Sequence, residues 1–458
     1  MPMYTIESSP SRLALAARDA SNLIGNPAGI VHPESHDEVV QIVRGCHQRR
    51  QAFVARGAGT GLAGGAVPST GALVISLLKM NRILEVDPAG GWAWVEPGVL
   101  NADVSRSLAH LGLHFAPDPS SQQSCTIGGN VANNSGGPHC LADGVTSAHI
   151  LEMKVVYSDG TDGHLTADNH GVDLRGAFVG SEGMFGIATA IKIRLTQSPP
   201  HVSTMLFGFP SVDSGARAVS EIIAHGIVPA ALEMMDAPIT RAVEDYVHAG
   251  FPLDAAAVLI VEVDGLRHAV AEQVRAINAL ARQAGASSAR TAADDSERAL
   301  IWKGRKTAFG AIARIKPNYY LHDTVVPRRK LNEVLQEVYR IAREHDLLVL
   351  NVFHAGDGNL HPLLVFDKRE PGVMERVHSA GQEIVRVSVE AGGVLSGEHG
   401  IGLEKRDFMP MMFGPHDLQA QASMRSAFDP LGIANPFKVL PSPSSCGDAH
   451  DIGEGMWV

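Results

Sequence analysis

The stretch Gln197-Ser198-Pro199-Pro200 constrains this chain most, because two consecutive prolines remove two backbone donors and interrupt any helix or central strand. The 458 residues therefore fold as at least two bodies, and a hydrophobic content of 45% is enough to fill two or more cores. From about Val31 to Leu195 the sequence is dense in glycine. Its short apolar runs, Ala52 to Ala55, Leu73 to Leu77 and Leu151 to Tyr157, predict strands between glycine turns and an α+β domain over 31–199. Beyond the prolines, strand-like runs alternate with helical patterns. Leu331, Val334, Leu335, Val338 and Ile341 are spaced to line one helix face ahead of a strand over Leu347 to Phe353. A second domain is expected over 200–420, and the Pro-, Ser- and Gly-rich sequence after Phe428 predicts a loop-like tail, 421–458.

Charge and cysteine usage exclude several functions. Lys and Arg number 38 against 49 Asp and Glu, and the net charge of -11 repels a phosphate backbone, so nucleic acid is not an expected partner. Cys46, Cys125, Cys140 and Cys446 are widely spaced with no CxxC, which encodes neither a disulfide scaffold nor an iron-sulfur cluster and fits a reducing cytoplasm. The N-terminus lacks a basic, apolar leader, and the run Ala255 to Val261 is too short to span a bilayer. Membrane contact is expected to be peripheral.

Three glycine clusters stand in the first domain. Arg56-Gly57-Ala58-Gly59-Thr60-Gly61-Leu62-Ala63-Gly64-Gly65 follows a predicted strand and contains GxGxxG from Gly59. A nicotinamide-binding βαβ unit needs a helix to start inside the loop, and Gly64, Gly65 and Pro68 oppose one. What remains is a loop of unhindered N–H groups able to wrap a pyrophosphate, with Arg56 adding charge. Thr126-Ile127-Gly128-Gly129-Asn130 with Asn133-Asn134-Ser135-Gly136-Gly137 offers a flat, donor-rich surface for a planar cofactor. Gly180-Ser181-Glu182-Gly183 with Gly186-Ile187 is the third, and three such loops together predict a cofactor bed.

The second domain carries His354-Ala355-Gly356-Asp357-Gly358-Asn359-Leu360-His361. A two-residue Asp-Gly turn pairs Gly356 with Asn359, Ala355 with Leu360 and His354 with His361, which sets both imidazoles on one face, about 5 Å apart at Cβ. That geometry suits a divalent metal. The third ligand is sought in Gly397-Glu398-His399-Gly400-Ile401-Gly402, whose glycines let a carboxylate and an imidazole point apart, one to metal and one to protons. Two His and a carboxylate fit Zn, Mn or Fe(II).

These motifs, in this order from about Val31 to Leu440, resemble the FAD domain of the vanillyl-alcohol oxidase or PCMH flavoprotein superfamily followed by its FAD-linked oxidase C-terminal cap. Within it the chain is similar to the branch of glycolate oxidase FAD subunits and D-lactate and D-2-hydroxyglutarate dehydrogenases; Ala427-Phe428-Asp429-Pro430 with Asn435-Pro436 also fits. The resemblance implies a two-part FAD-binding domain and an antiparallel sheet with helices as substrate cap. It places FAD against Arg56, Gly57, Ala58, Gly59, Thr60, Gly61 and Leu62, against Pro119, and against Thr126, Gly128, Gly129, Asn130, Asn134, Ser135 and Gly136, with Gly183 and Ile187 along the adenine side. Members with covalent flavin carry a histidine in the first loop, where this chain has Thr60-Gly61, so dissociable FAD is expected. By the same resemblance His354, His361 and Glu398 match the metal ligands and His399 the catalytic base. Arg305 matches the clamp for a substrate carboxylate, a role its planar fork of donors suits better than Lys303 or Lys306. The chain departs from the pattern at Asn133, at Ala142-Asp143 and at Met184-Phe185, positions expected to line or support the flavin side.

The implied reaction oxidises a D-2-hydroxy acid to the 2-keto acid. With no cluster cysteines, the electrons are expected to pass to an external acceptor, whether an iron-sulfur subunit, quinone, cytochrome, electron-transfer flavoprotein or oxygen. Likeness to glycolate oxidase subunits adds two expectations, a multi-subunit complex at the inner membrane face or a homodimer. The competing class is a metal-dependent hydrolase using the same His, His and Glu with a bound water, for which the glycine loops would be idle.

Overall fold

The computed structural model describes residues 4–168 and 170–441. The chain divides into two compact units. One comprises Met1–Gly136, Gly144–Ser198 and Glu398–Val458, and the other Gly137–Asp143 and Pro199–Gly397. The first break coincides with the proline pair. The second differs from the expected division at 420, because the chain returns to the first unit at Glu398, and Gly137–Asp143 joins the second unit from within the first domain's sequence.

In the first unit, strands Gly29–Val31 and Phe53–Arg56 flank Leu73–Ser76 in a three-stranded parallel sheet. The helix His36–Arg49 carries the chain from one outer strand of this sheet to the other. The Ser35 hydroxyl caps it by accepting from the Glu38 amide at 3.3 Å, and Val39, Val40, Ile42, Val43 and Cys46 form its buried face. A five-stranded antiparallel sheet follows in the order Ile83–Asp87, Trp92–Val95, Ile187–Arg194, Ile150–Val156, Asp162–Thr166.

Beyond Phe428 the chain does more than trail off. The Phe53 amide donates to Ile433 at 2.9 Å and the Asn435 amide to Phe53 at 2.8 Å, extending the parallel sheet by a bridge at Ala434, while Ile433 and Ala434 enter its core. Residues 442–458, including Cys446, lie outside the described residues; Cys46 and Cys125 are free thiols.

The second unit is built on an antiparallel sheet ordered Ser288–Thr291, His201–Phe209, Ala257–Gly265, Ala231–Asp236, Leu348–His354, Asn359–Leu360, Thr324–Val325, with Pro362–Phe366 pairing Leu348–His354 and Asn318–Leu321. Helices Val212–Ala224, Arg267–Gln283, Leu331–Glu344 and Val373–Glu390 cover its apolar face. The predicted stripe Leu331, Val334, Leu335, Val338 and Ile341 is fully buried there, and truncating one such leucine to alanine costs about 2–5 kcal/mol. Among the described residues no helix is long and apolar enough to cross a membrane.

Candidate active site

In the first unit the glycine loop leaves the end of strand Phe53–Arg56 and forms no helix over 57–72, as the glycines and Pro68 predict. Gly59 and Gly64 have φ of 72° and 77°, which side chains with a Cβ resist. A Cβ on Gly57 would stand 2.3 Å from Thr126 Oγ1. Among the described residues the N–H groups of 58–62 donate to no protein acceptor, so a half-buried row of donors stands ready for an anion. Arg56 turns back along the loop, Nη1 donating to the Ala66 carbonyl at 3.3 Å, and burial holds its pKa below the ordinary guanidinium range.

The second cluster is helical rather than flat. Thr126 caps the helix Ile127–Asn133 by accepting from the Gly129 amide at 3.2 Å, and Asn134 ends it with a left-handed φ of 52°. Gly128 answers to packing, since a Cβ there would lie 2.6 Å from Pro97 Cβ. Asn134 Oδ1 accepts from Ser147 N at 2.8 Å and the Ser135 carbonyl from Thr146 Oγ1 at 2.7 Å, so these two residues are held firmly. Pro119, Asn130 and Ile187 are buried.

The third cluster does something its composition did not announce. Glu182, buried and at a φ of 50°, accepts from the amides of Ile401 at 2.7 Å and Gly402 at 3.0 Å through Oε1. Burial raises its pKa, opposed by those amides and by Lys438 and Lys405. Asn133 Nδ2 donates to the His399 carbonyl at 3.1 Å, and the Ala63 carbonyl accepts from Leu403 N at 2.9 Å. The segment carrying Glu398 and His399 is thus bonded to all three glycine clusters of the first unit. Met184 and Phe185 are core residues, with Phe185 stacked on Phe428 at 4.4 Å. Ala142-Asp143 belongs to the second unit.

In the second unit the hairpin register differs from the expected one by two residues. His354 pairs with Asn359 across a four-residue turn, and Asn351 with Pro362. Asp357 Oδ1 caps the turn by accepting from Asn359 N at 3.0 Å. Gly358 has φ 81°, and a Cβ there would meet the Val326 carbonyl at 2.2 Å, so only glycine fits this close approach. The rings of His354 and His361 still meet, centroids 5.0 Å apart and edge to face, both buried.

Three further side chains stand around that pair. Glu233, fully buried and the cross-strand partner of His354, places Oε1 2.7 Å from His354 Nδ1. Its Oε2 accepts from Arg305 Nε at 2.7 Å and Nη2 at 2.6 Å. Arg305 is fully buried rather than solvated; one edge of its fork is taken by Glu233, and Nη1 has no protein hydrogen-bond partner. Asp323 accepts from Ser396 Oγ at 2.6 Å and Gly397 N at 3.1 Å, and its Oδ1 lies 3.8 Å from His361 Nδ1. Gly397 is required there, because a Cβ would lie 2.4 Å from Asn359 Nδ2. Glu398 is the next residue. Glu182, Glu233 and Asp323 went unnoticed in the sequence, where the available signal was an acid inside an apolar strand, as in Ala231-Leu232-Glu233-Met234-Met235.

Known proteins resemble this chain over most of its length. Residues 198–439 match the profile of FAD linked oxidases, C-terminal domain, and residues 27–165 that of an FAD binding domain. The chain is 44% identical over 425 residues to glycolate oxidase subunit GlcD of Escherichia coli (strain K12), covering 92% of this chain and 85% of that protein. It is 38% identical to the GlcD subunit of Bacillus subtilis (strain 168), over 95% and 93% of the two chains. A probable mitochondrial D-lactate dehydrogenase of Danio rerio is 30% identical over 90% and 84%. Among solved structures, p-cresol methylhydroxylase with substrate bound has a TM-score of 0.79 at 15% identity over 95% and 93% of the chains, and 4-ethylphenol oxidase from Gulosibacter chungangensis 0.78 at 18% over 96% and 95%, a likeness of fold. The chain belongs to the FAD-linked oxidases and is an oxidoreductase with FAD as its cofactor.

Proposed function

We propose that the protein oxidises a D-2-hydroxy acid to the 2-keto acid with noncovalent FAD, a divalent metal and an external electron acceptor other than NAD. One observation carries this reading: a buried guanidinium with an unpartnered Nη1 and one imidazole of a buried pair, His354, are bound by a single carboxylate, Glu233. A buried cationic donor without an acceptor suits an anionic substrate, and a charge-assisted bond to its carboxylate contributes about 1.5–3 kcal/mol. The relatives point the same way, being named for glycolate and D-lactate.

Bound FAD supplies a two-electron acceptor for the hydride from the substrate carbon, and a Zn, Mn or Fe(II) ion lowers the pKa of the hydroxyl beside it. The N–H groups of 58–62 and Arg56 would hold the pyrophosphate, and Thr126 to Gly136, Pro119, Gly183 and Ile187 would line the remainder. His354 and His361 would hold the metal. Glu398 is the proposed third ligand. Arg305 Nη1 orients the substrate carboxylate, and His399, fixed through its carbonyl by Asn133, accepts the hydroxyl proton.

The name of the Escherichia coli and Bacillus subtilis relatives supports a role as one subunit of a larger assembly. A metal hydrolase would leave the FAD-binding domain without a role. The deciding measurement is anaerobic: purified protein is mixed with paired D- and L-2-hydroxy acids, with and without chelator, while the visible flavin band is followed. Bleaching by D acids or glycolate that chelation suppresses is expected. Oxidised flavin with every acid would end the proposal.

A further inference from the structure

We propose that Glu233 is a positioning residue that holds His354 in the Nδ1–H form and Arg305 in one orientation, so that metal and substrate carboxylate are presented by one shared anchor. This rests on the reading that His354 binds a metal.

The geometry is specific. Glu233 stands in strand Ala231–Asp236 directly opposite His354 in strand Leu348–His354, so the two side chains leave the sheet on one face. Arg305 arrives from the last turn of helix Asp295–Lys306. Both oxygens of Glu233 are used, Oε1 at 2.7 Å from His354 Nδ1 and Oε2 at 2.7 and 2.6 Å from Arg305 Nε and Nη2. Arg305 Nη2 also lies 3.5 Å from His354 Nδ1. Both nitrogens cannot donate to each other, and the shorter contact to an acceptor-only carboxylate decides that Nδ1 carries the proton. The lone pair of His354 is then on Nε2, the form that ligates. Beside the other imidazole, Asp323 Oδ1 is 3.8 Å from His361 Nδ1. Orientation of His354 therefore depends on Glu233. With Glu233 ionised, the fully buried Arg305 charge is balanced locally, and Nη1 remains for the substrate.

Glu233→Gln keeps the shape and forces an amide NH2 toward either Arg305 or the imidazole. In chelator-stripped full-length protein titrated with Zn2+, this variant is expected to bind about 10- to 100-fold more weakly than the parent, the usual effect of losing a carboxylate behind a ligating histidine. Flavin content, which reports on the other unit, should be unchanged, and KM for the hydroxy acid should rise with the loosening of Arg305. Equal Zn2+ affinity in parent and variant overturns the proposal. A parent that takes up no Zn2+, Mn2+ or Fe2+ overturns the metal reading beneath it. The unmutated protein provides a test that does not depend on a Glu233 variant: 15N spectra of its histidines, assigned with His354→Gln, should show His354 as Nδ1–H without metal. An Nε2–H form there overturns Glu233 as the cause.

Discussion

His354 and His361 meet edge to face, ring centroids 5.0 Å apart, although neither is the other's cross-strand partner. His354 pairs with Asn359, and continuing the register of Asn351 with Pro362 would set His361 opposite Val352. The shift from the expected pairing is two residues. Because side chains alternate faces with a period of two, an even shift keeps both histidines on one face.

That relationship makes metal retention the first prediction. His354→Ala and His361→Ala should each lose stoichiometric metal and substrate-driven bleaching, while FAD, bound by the other unit, stays. Elemental analysis beside the flavin spectrum reads both.

His399→Ala should retain flavin and metal and slow flavin reduction by about 10²–10⁴-fold, the usual contribution of a positioned base. Rapid mixing with substrate under anaerobic conditions measures it. Reduction at the parent's rate would remove His399 from the assigned role.

Glycine at 57 is a steric requirement, with a Cβ placed 2.3 Å from the hydroxyl that caps helix Ile127–Asn133. Gly57→Ala should lower the flavin-to-protein ratio of purified enzyme several-fold. Gly71→Ala is the control: its φ of 78° carries strain of about 1 kcal/mol, yet nothing lies within 4 Å of the added carbon. It should lose some thermal stability and keep its flavin. Acid precipitation should release the flavin from the parent into solution.

Stability of the second unit should depend on Asp236. Burial pushes its carboxyl up to about 6 from 3.8, against bonds from Ile239 N, Tyr339 Oη and Asn351 N. The folded state thus binds this proton more tightly than the unfolded chain. Its contribution is fully present below about 4 and is lost as pH rises through 6, by roughly 3 kcal/mol. The melting temperature of the parent minus that of Asp236→Asn should fall over that window. A difference that is flat or rises with pH would contradict the assignment.

Much of this was legible in residue order. The spacing of Leu331 to Ile341 announced its buried helix face, and the glycine loop announced a helix-free row of donors, because each rests on neighbours within one element. The turn at Asp357-Gly358 was legible in kind and not in length, and the close approach of Gly358 to the Val326 carbonyl, 32 residues upstream, leaves no mark on residue order.

What residue order alone determined, then, is local: where helices and turns can form, which loops expose backbone donors, and which side chains are chemically able to bind metal, proton or carboxylate. Tertiary structure decided which of them share partners. Glu233 meets His354 and Arg305 across separations of 121 and 72 residues, and Glu182 meets Ile401 across 219, contacts that follow from strand pairing and chain return and leave no periodic trace in sequence.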